Sequence, residues 1–279
     1  MSRIVSMDEV LKHLHDPQTV IVDCRFVLGQ PDAGREAYLK EHLPGSVYLD
    51  LERDLSGPVI GPGGRHPLPD PKRLAETLGN AGVDDSVQVI AYDDQCGAMA
   101  SRLWWLLTWL GHPRVRVMNG TFSRWKEKGY PVDSTVHVPV RRTFLPRPQS
   151  DMLADADEVL RKLDDPDAVI IDSRERARWL GEHEPIDPVA GRIPGSKHCF
   201  WKNVCTEHGE WKSPEELARL FASVPKDKEL IVYCGSGVTA TPNVLALREA
   251  GYERVKLYAG SWSDWITDPS RPVKRGDED

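Results

Sequence analysis

The sequence predicts an α/β fold of two tandem domains, each with a parallel β-sheet and helices on both faces. Short β-branched runs alternate with amphipathic helical segments, which is typical of a parallel sheet covered on both sides. Four short motifs also occur twice in the same order, which indicates a tandem duplication. The chain is therefore expected to build one α/β domain twice.

The repeated motifs connect the first half of the chain with the second. They are VIVDCR with VIIDSR, HLPGS with RIPGS, VIAYDDQ with LIVYCGS, and GTFSRW with GSWSDW. The separation of the two copies drops by roughly nine residues after the second motif, so we expect an insertion in the Gly/Pro-rich stretch 56–71. The proline-containing stretch 133–150 reads as a linker. We place the boundary near residue 145, giving domains 1–145 and 146–279.

Individual elements follow from these patterns. Strands are predicted at 20–23, 87–92, 115–118, 169–172, 230–233 and 255–258. The segment 99–110 has the length and apolar content of a helix, so its tryptophans are expected in the core. The equivalent helix is predicted at 239–250, where Pro242 is tolerated in the first turn. A further helical segment is expected to begin at Asp151.

Composition excludes several classes of protein. Charged residues at 28% and hydrophobic residues at 40% are typical of a folded globular chain. A formal net charge of −7 argues against nucleic acid as a partner. The sequence shows no secretory signal and no apolar stretch of about 18 residues, so no membrane segment is predicted. An odd number of sparse cysteines favours a reducing, cytoplasmic location and one working thiol; they are Cys24, Cys96, Cys199, Cys205 and Cys234.

The clearest candidate for chemistry is the loop that follows Tyr233. It reads Cys-Gly-Ser-Gly-Val-Thr-Ala, whereas the first copy has Asp93 in place of Cys234. Open α/β folds place ligands at the carboxyl ends of parallel strands that lead into helices. Gly235 and Gly237 let backbone N–H groups converge there, and these groups with the helix N-terminus stabilise a thiolate. Cys234 is therefore predicted to be the nucleophile, in the second copy only.

Other interpretations of this loop are weaker. Cys234 could be a buried structural cysteine, but the glycine-rich context disfavours that. A cysteine phosphatase needs an arginine six residues after its cysteine, and this chain has Ala240 there. No metal site is predicted, because Cys199 and Cys205 lack the close Cys-x2-Cys spacing of zinc sites. A persulfide carrier or sulfur-relay binding protein without turnover stays open.

The segment Tyr-Cys-Gly-Ser-Gly-Val-Thr-Ala closely resembles the active loop of 3-mercaptopyruvate sulfurtransferases in the two-domain rhodanese family. The Asp-x-Arg strands, the Pro-Gly-Ser turns and the terminal Gly-Ser-Trp-Ser-Asp-Trp extend the resemblance over essentially the whole chain. It implies an inactive N-terminal rhodanese-like domain and a catalytic C-terminal one. It also implies a sulfurtransferase that moves sulfane sulfur from 3-mercaptopyruvate or thiosulfate through a Cys234 persulfide. The implied acceptors are cyanide or a thiol such as thioredoxin, and no cofactor is required.

The resemblance further implies contacts with the anionic donor. Arg178, in Arg-Glu-Arg-Ala-Arg-Trp, matches the substrate-binding arginine of the family. The loop residues implied to hold the substrate are Gly235, Gly237, Val238 and Thr239. A second arginine of the mercaptopyruvate enzymes is replaced by Ile186, and the basic loop residues of thiosulfate enzymes are replaced by Gly235 and Ser236. The choice of donor therefore stays open.

A serine–histidine–acid relay is the last feature that the resemblance implies. Ser236 supplies the hydroxyl, and His66 lies in a matching Gly-Arg-His-Pro-Leu-Pro stretch. The acid is expected to be Glu52, with Asp50 as the alternative. A histidine oriented by a carboxylate and bonded to a hydroxyl can move a proton. A purely structural role in a Gly/Pro loop is the other interpretation of His66.

Overall fold

A computed structural model describes residues 2–61 and 63–277 of the chain. These residues form two compact units. The first unit contains residues 2–57, Pro69–Gln149 and Cys205–Trp211, and the second contains the remaining described residues. The short segment 58–68, which lies in the first repeat of the sequence, thus belongs to the second unit. The domain limits 1–145 and 146–279 stay a prediction.

The first unit is a five-stranded sheet with the order β1-β5-β4-β2-β3, in which all neighbouring strands are parallel. Its strands are β1 (Ile4–Ser6), β2 (Thr19–Asp23), β3 (Val47–Tyr48), β4 (Gln88–Tyr92) and β5 (Val115–Asn119). Its helices are α1 (Met7–His13), α2 (Ala33–Lys40), α3 (Pro71–Asn80), α4 (Ala98–Trp109) and α5 (Phe122–Glu127).

The second unit repeats this topology with the order β6-β10-β9-β7-β8, again parallel throughout. Its strands are β6 (Leu153–Ala154), β7 (Ala168–Asp172), β8 (Lys197–His198), β9 (Glu229–Tyr233) and β10 (Val255–Tyr258). Its helices are α6 (Ala156–Arg161), α7 (Arg176–Leu180), α8 (Pro214–Leu220), α9 (Thr241–Glu249) and α10 (Ser261–Trp265). The α/β class and the duplication are confirmed.

The predicted elements agree with the structure except at one place. All six predicted strands are present within one residue of their expected limits. The expected helix at Asp151 is wrong: Ser150–Met152 is a 3₁₀ turn followed by β6. The helix begins only at α6, because the Asp155 side chain accepts a hydrogen bond from the Glu158 N–H and caps it there. The four shortest strands, each of two or three residues, were not predicted, because segments of this length show no hydrophobic periodicity.

Helix α4 forms the centre of the first unit. Nearly every side chain of α4 is buried, including Trp104, Trp105 and Trp109. A helix that is apolar on all sides is stable only when it is enclosed. The predicted core role of these tryptophans is confirmed. None of the helices in the two described ranges is long and apolar enough to cross a membrane.

A buried hydrogen-bond network links the repeated motifs of the first unit. The Asp23 carboxylate accepts hydrogen bonds from Arg25 Nε and Nη2 and, at 2.7 Å, from the Tyr92 hydroxyl. The Tyr92 hydroxyl also accepts from the Leu43 N–H at 3.1 Å and lies 3.3 Å from Ser46 Oγ. Three of the four repeated motifs therefore meet at one buried point.

The second unit contains the same network. Asp172 accepts from Arg174 Nε and Nη2, and Tyr233 replaces Tyr92. The Ile193 N–H donates to the Tyr233 hydroxyl at 3.1 Å, and Ser196 Oγ lies 3.2 Å from it. Burial alone disfavours the charged Arg174, but the Asp172 carboxylate outweighs it and raises the pKa of Arg174. Because Tyr233 precedes Cys234, this network fixes the strand end from which the candidate nucleophile extends.

We predict that Arg174→Met lowers the free energy of unfolding of the second unit by about 3–5 kcal/mol, because it leaves the Asp172 carboxylate buried without its cation. Urea unfolding followed by tryptophan fluorescence measures the effect. The matched control is Arg176→Met, which removes a guanidinium whose partner Asp277 lies on the surface. Equal stabilities of the two variants would contradict the proposed role of the network.

Candidate active site

The backbone around Cys234 is fixed by the start of α10. The Cys234 N–H donates to Ser261 Oγ at 3.0 Å, and the Cys234 carbonyl accepts from the Trp262 N–H at 3.0 Å. The next carbonyl, that of Gly235, accepts from the Ser263 N–H at 2.9 Å. The repeated Gly-Ser-Trp-Ser-Asp-Trp motif thus holds the loop in place.

Ser261 is a positioning residue that the sequence did not reveal. It is buried and has a φ of 55°, an uncommon conformation for a residue other than glycine. Its hydroxyl donates to the Tyr258 carbonyl at 2.9 Å and lies 4.0 Å from Cys234 Sγ. The strained backbone therefore places a hydroxyl whose oxygen holds the Cys234 N–H.

The equivalent loop of the first unit shows what this backbone binds. There the Asp93 carboxylate accepts four backbone N–H groups at 2.7–2.9 Å; the donors are Gln95, Gly97, Met99 and Ala100. Burial raises the pKa of Asp93, and these four bonds oppose that rise. A strand-to-helix loop of this type is therefore an anion cradle, which the first unit fills with its own carboxylate.

The second loop leaves three of the four corresponding donors available, since the Thr241 N–H, which matches that of Ala100, donates to the Val238 carbonyl. At the positions that match Gln95, Gly97 and Met99 stand Ser236, Val238 and Ala240. Within residues 2–61 and 63–277, none of these three N–H groups donates a hydrogen bond. A short thiol at Cys234 replaces the longer Asp93 carboxylate, so the cradle has donors for an anion on or beyond the sulfur.

Two other thiols are poor candidates for the nucleophile. Burial raises the pKa of Cys24 well above its ordinary value. Burial likewise raises the pKa of Cys199 to about 12. Both groups therefore remain protonated thiols near neutral pH, and a protonated thiol is a weak nucleophile.

Two guanidinium groups border the loop at Gly235. A Cβ atom on Gly235 would lie 3.0 Å from Arg65 Nη2 and 3.5 Å from Arg178 Nη2. Arg178 therefore lies where the sequence placed it, beside the cysteine loop. Arg65 was missed, although it directly precedes His66 in a stretch with few other charges. Its buried Nε has no hydrogen-bond partner among the described residues.

Two carboxylates hold these cations. Glu184 accepts from Arg178 Nε at 3.0 Å and Nη2 at 2.8 Å. Asp187 accepts from Arg178 Nη2 at 3.0 Å and from Arg65 Nη1. Although burial opposes it, the hydrogen bonds from Arg178 lower the pKa of Glu184. No signal in the sequence pointed to Asp187.

The segment 58–68 brings Arg65 and His66 to the loop. The Gly63 N–H donates to Asp264 Oδ1 at 2.8 Å, and the Arg65 N–H donates to Ser263 Oγ at 3.1 Å. Gly64 has a φ of 73°, and a Cβ there would lie 2.4 Å from the Gly260 carbonyl oxygen. Only glycine fits this close approach, which explains the glycine directly before Arg65.

The predicted relay is partly visible within the second unit. His66 Nδ1 lies 2.8 Å from Ser236 Oγ, and both side chains are buried. Glu52 belongs to the first unit, so its role as the acid stays a prediction. Asp50 has structural partners of its own, since it accepts from the Glu52 and Arg53 N–H groups and from the Tyr48 hydroxyl.

The described part of the second unit thus brings together Cys234, Ser236, His66 and Arg178, with Arg65 added. Gly235, Gly237 and Val238 are buried in the same loop, and Thr239 is partly exposed. No group of three or more His, Cys, Asp or Glu side chains in the described ranges could hold a metal. The second unit thus has an α/β fold and a cysteine loop with two guanidinium groups at Gly235 and a hydroxyl–imidazole pair at Ser236, which is suited to binding a small anion.

Comparison with known proteins identifies the family. The family model described as "Rhodanese-like domain" matches residues 6–128 and again 155–268. A Pseudomonas aeruginosa protein named "Probable 3-mercaptopyruvate sulfurtransferase" is 41% identical, with 99% of each chain covered. "Thiosulfate sulfurtransferase" of Bos taurus is 35% identical over 90% of this chain and 86% of its own. The solved structure of "3-mercaptopyruvate sulfurtransferase from Leishmania major" has a TM-score of 0.84 at 28% identity, covering 98% of this chain and 76% of that one.

The chain therefore belongs to the rhodanese family, with two rhodanese-like domains. It is a sulfurtransferase.

We predict that Gly237→Ala lowers kcat/KM about 100-fold, since displacing a catalytic loop by about 1 Å has effects of that size. Gly237 has a φ of 75°, and its Cβ would lie 2.0 Å from the Ala259 carbonyl oxygen. Steady-state sulfur transfer measures the loss. Gly276→Ala is the matched control, because Gly276 has a φ of 80° but open space around it. Similar activities in the two variants would contradict the need for this close approach.

Proposed function

We propose that Cys234 is the residue that carries the sulfur atom, as a persulfide. Its thiolate attacks the sulfane or thiol sulfur of a small anionic donor. The N–H groups of Ser236, Val238 and Ala240 then hold the persulfide anion, as their counterparts hold the Asp93 carboxylate. The comparison of the two loops supports this role, because the first unit has a fixed anion where the second has a thiol.

We propose 3-mercaptopyruvate as the preferred donor. The observation that carries this choice is the 2.8 Å contact between His66 Nδ1 and Ser236 Oγ, two residues beyond Cys234. A hydroxyl oriented by an imidazole can donate to a ketone oxygen, a group that mercaptopyruvate has and thiosulfate lacks. The names of the relatives from Pseudomonas aeruginosa and Leishmania major agree with this donor, and that of the Bos taurus relative names thiosulfate.

The arginines bind the donor carboxylate in this proposal. Arg178 and Arg65 both approach Gly235, and a planar guanidinium suits a carboxylate. Arg65 supplies the second cation that the sequence lacks at Ile186. Gly235 has to remain small, because any side chain there would displace the two guanidinium groups.

The chemical step is a displacement at sulfur. The Cys234 thiolate forms a new S–S bond, and the C–S bond of mercaptopyruvate breaks. The electron pair of that bond passes into the enolate of pyruvate, whose oxygen accepts a hydrogen bond from the Ser236 hydroxyl. The proton of the donor thiol, now on the persulfide, finally reaches the methylene carbon of the enolate. Pyruvate leaves, and the Cys234 persulfide anion remains in the cradle.

The second half-reaction removes the outer sulfur atom. We propose cyanide, a small thiol or thioredoxin as the acceptor, each of which attacks the outer sulfur and releases the Cys234 thiolate. This order of steps gives ping-pong kinetics. A cytoplasmic location remains part of the proposal, because thiol acceptors are abundant under reducing conditions.

Steady-state sulfur transfer to cyanide, with mercaptopyruvate and thiosulfate in parallel, tests the proposal. We expect mercaptopyruvate to have at least about tenfold higher kcat/KM, because only this donor uses the Ser236 hydroxyl. Cys234→Ser should abolish turnover, and mass spectrometry should find the added sulfur on the Cys234 peptide. A Cys234→Ser variant that turns over refutes the mechanism. Persulfide formation without turnover would instead identify a carrier protein.

We predict that Ser236→Ala lowers kcat/KM for mercaptopyruvate about 100-fold and changes the value for thiosulfate only slightly. The reason is that only the ketone oxygen receives the hydrogen bond that Ser236 provides. The control is Ser223→Ala, since Ser223 is an exposed serine outside the site in the same unit. An equal loss with both donors would show that Ser236 is structural and has no part in choosing the donor.

A further inference from the structure

The two cations beside the cysteine loop share one buried carboxylate, that of Asp187. Asp187 contacts both Arg65 Nη1 and Arg178 Nη2, the two guanidinium groups nearest to Gly235. Its side chain is 3% exposed, whereas those of Arg65 and Arg178 are 32% and 12% exposed. Within the described residues, Asp187 is the one carboxylate with ion pairs to both cations.

Glu184, the second carboxylate nearby, has a different role. It accepts from the Ile186 and Asp187 N–H groups at 3.1 Å and lies 3.4 Å from Arg174 Nη1. These bonds tie Glu184 to the backbone and to the buried Asp–Arg network. Glu184 therefore shapes the turn, while Asp187 lies between the two cations that face the loop.

The charges at this place sum to zero before a donor binds. Three positive charges are balanced by three negative ones: Arg65, Arg178 and Arg174 against Asp187, Glu184 and Asp172. Low exposure weakens screening by water and salt, so each charge has a large effect on a neighbouring anion. A donor with one negative charge meets little repulsion here, while a second negative charge lies close to Asp187.

We propose that Asp187 is a specificity-determining residue, whose carboxylate disfavours donors with two negative charges relative to donors with one. Mercaptopyruvate has a single carboxylate charge near neutral pH, and thiosulfate has two charges. Asp187 thus selects against thiosulfate by charge, in addition to the selection that Ser236 makes by hydrogen bonding. This inference rests on the function proposed above and adds how its donor class is chosen.

The test compares Asp187→Asn with the wild-type chain, using mercaptopyruvate and thiosulfate as donors and cyanide as acceptor. The ratio of kcat/KM for thiosulfate to that for mercaptopyruvate should rise at least about tenfold, because a dianion gains more than a monoanion when a nearby negative charge is removed. A merely structural role for Asp187 would lower both values together and leave the ratio unchanged.

Two control variants separate charge from packing. Asp187→Glu keeps the charge and should keep the wild-type ratio. Asp277→Asn breaks an exposed pair with Arg176 and should also leave the ratio unchanged. If Asp187→Asn does not fold, as judged by its melting temperature, Asp187→Ser replaces it, since the smaller hydroxyl can still accept from Arg65.

Binding provides a second measurement without turnover. In a Cys234→Ser background, calorimetry should show that Asp187→Asn tightens thiosulfate binding at least about tenfold and pyruvate binding much less. An unchanged ratio in folded Asp187→Asn refutes the role of Asp187 and leaves the sulfurtransferase mechanism intact. A wild-type chain that uses neither donor would instead refute the proposed function.

Discussion

The buried ion pair between Asp172 and Arg174, with the Tyr233 hydroxyl beside it, is the interaction on which the second unit depends. Neither charge is accessible to water, so each is stable only because the other is present. The Tyr233 side chain, at the end of β9, hydrogen-bonds to Asp172 of β7 and also contacts the Ile193 N–H and Ser196 Oγ. The position of the next residue, Cys234, follows from this network.

The network also explains why the duplication is visible in the sequence. The same contacts recur in the first unit, where Asp23, Arg25 and Tyr92 occupy the matching places. A buried charged network tolerates few substitutions, because losing one member leaves the others unpaired. The strand, the turn and the tyrosine therefore persist in both copies, while the helices between them differ in sequence.

One substitution after the tyrosine distinguishes the loops of the two units, which have Asp93 and Cys234 at the matching positions. With Asp93, the loop satisfies its own N–H groups and becomes a closed, stable turn. With Cys234, the N–H groups of Ser236, Val238 and Ala240 stay available, and in the proposed function an anion at the sulfur satisfies them. In the proposed function, the same backbone geometry holds a structural carboxylate in the first unit and a reacting anion in the second.

Much of this architecture could be predicted from the sequence, and the exceptions have physical reasons. The six long strands and the core helix α4 have strong hydrophobic patterns, so they were found within one or two residues. The helix expected at Asp151 failed because a capping residue, Asp155, fixes the start of α6. The local motifs and the family resemblance predicted Cys234, Ser236, His66 and Arg178 as one site, whereas no local pattern encodes the contacts of Asp187 and Ser261.

Arg65 shows how tertiary structure replaces a residue that the motif lacks. The sequence suggested that one cation was absent, because Ile186 stands where a second arginine was expected. The segment 58–68 supplies a guanidinium at the loop instead, held through Gly63 and Gly64 against α10. Binding a donor carboxylate requires a cation at one place in the site. That cation can come from any segment of the chain that reaches this place. Pairing with Asp187 holds the Arg65 guanidinium in a fixed geometry before a donor binds. The side chain therefore loses less conformational entropy on binding.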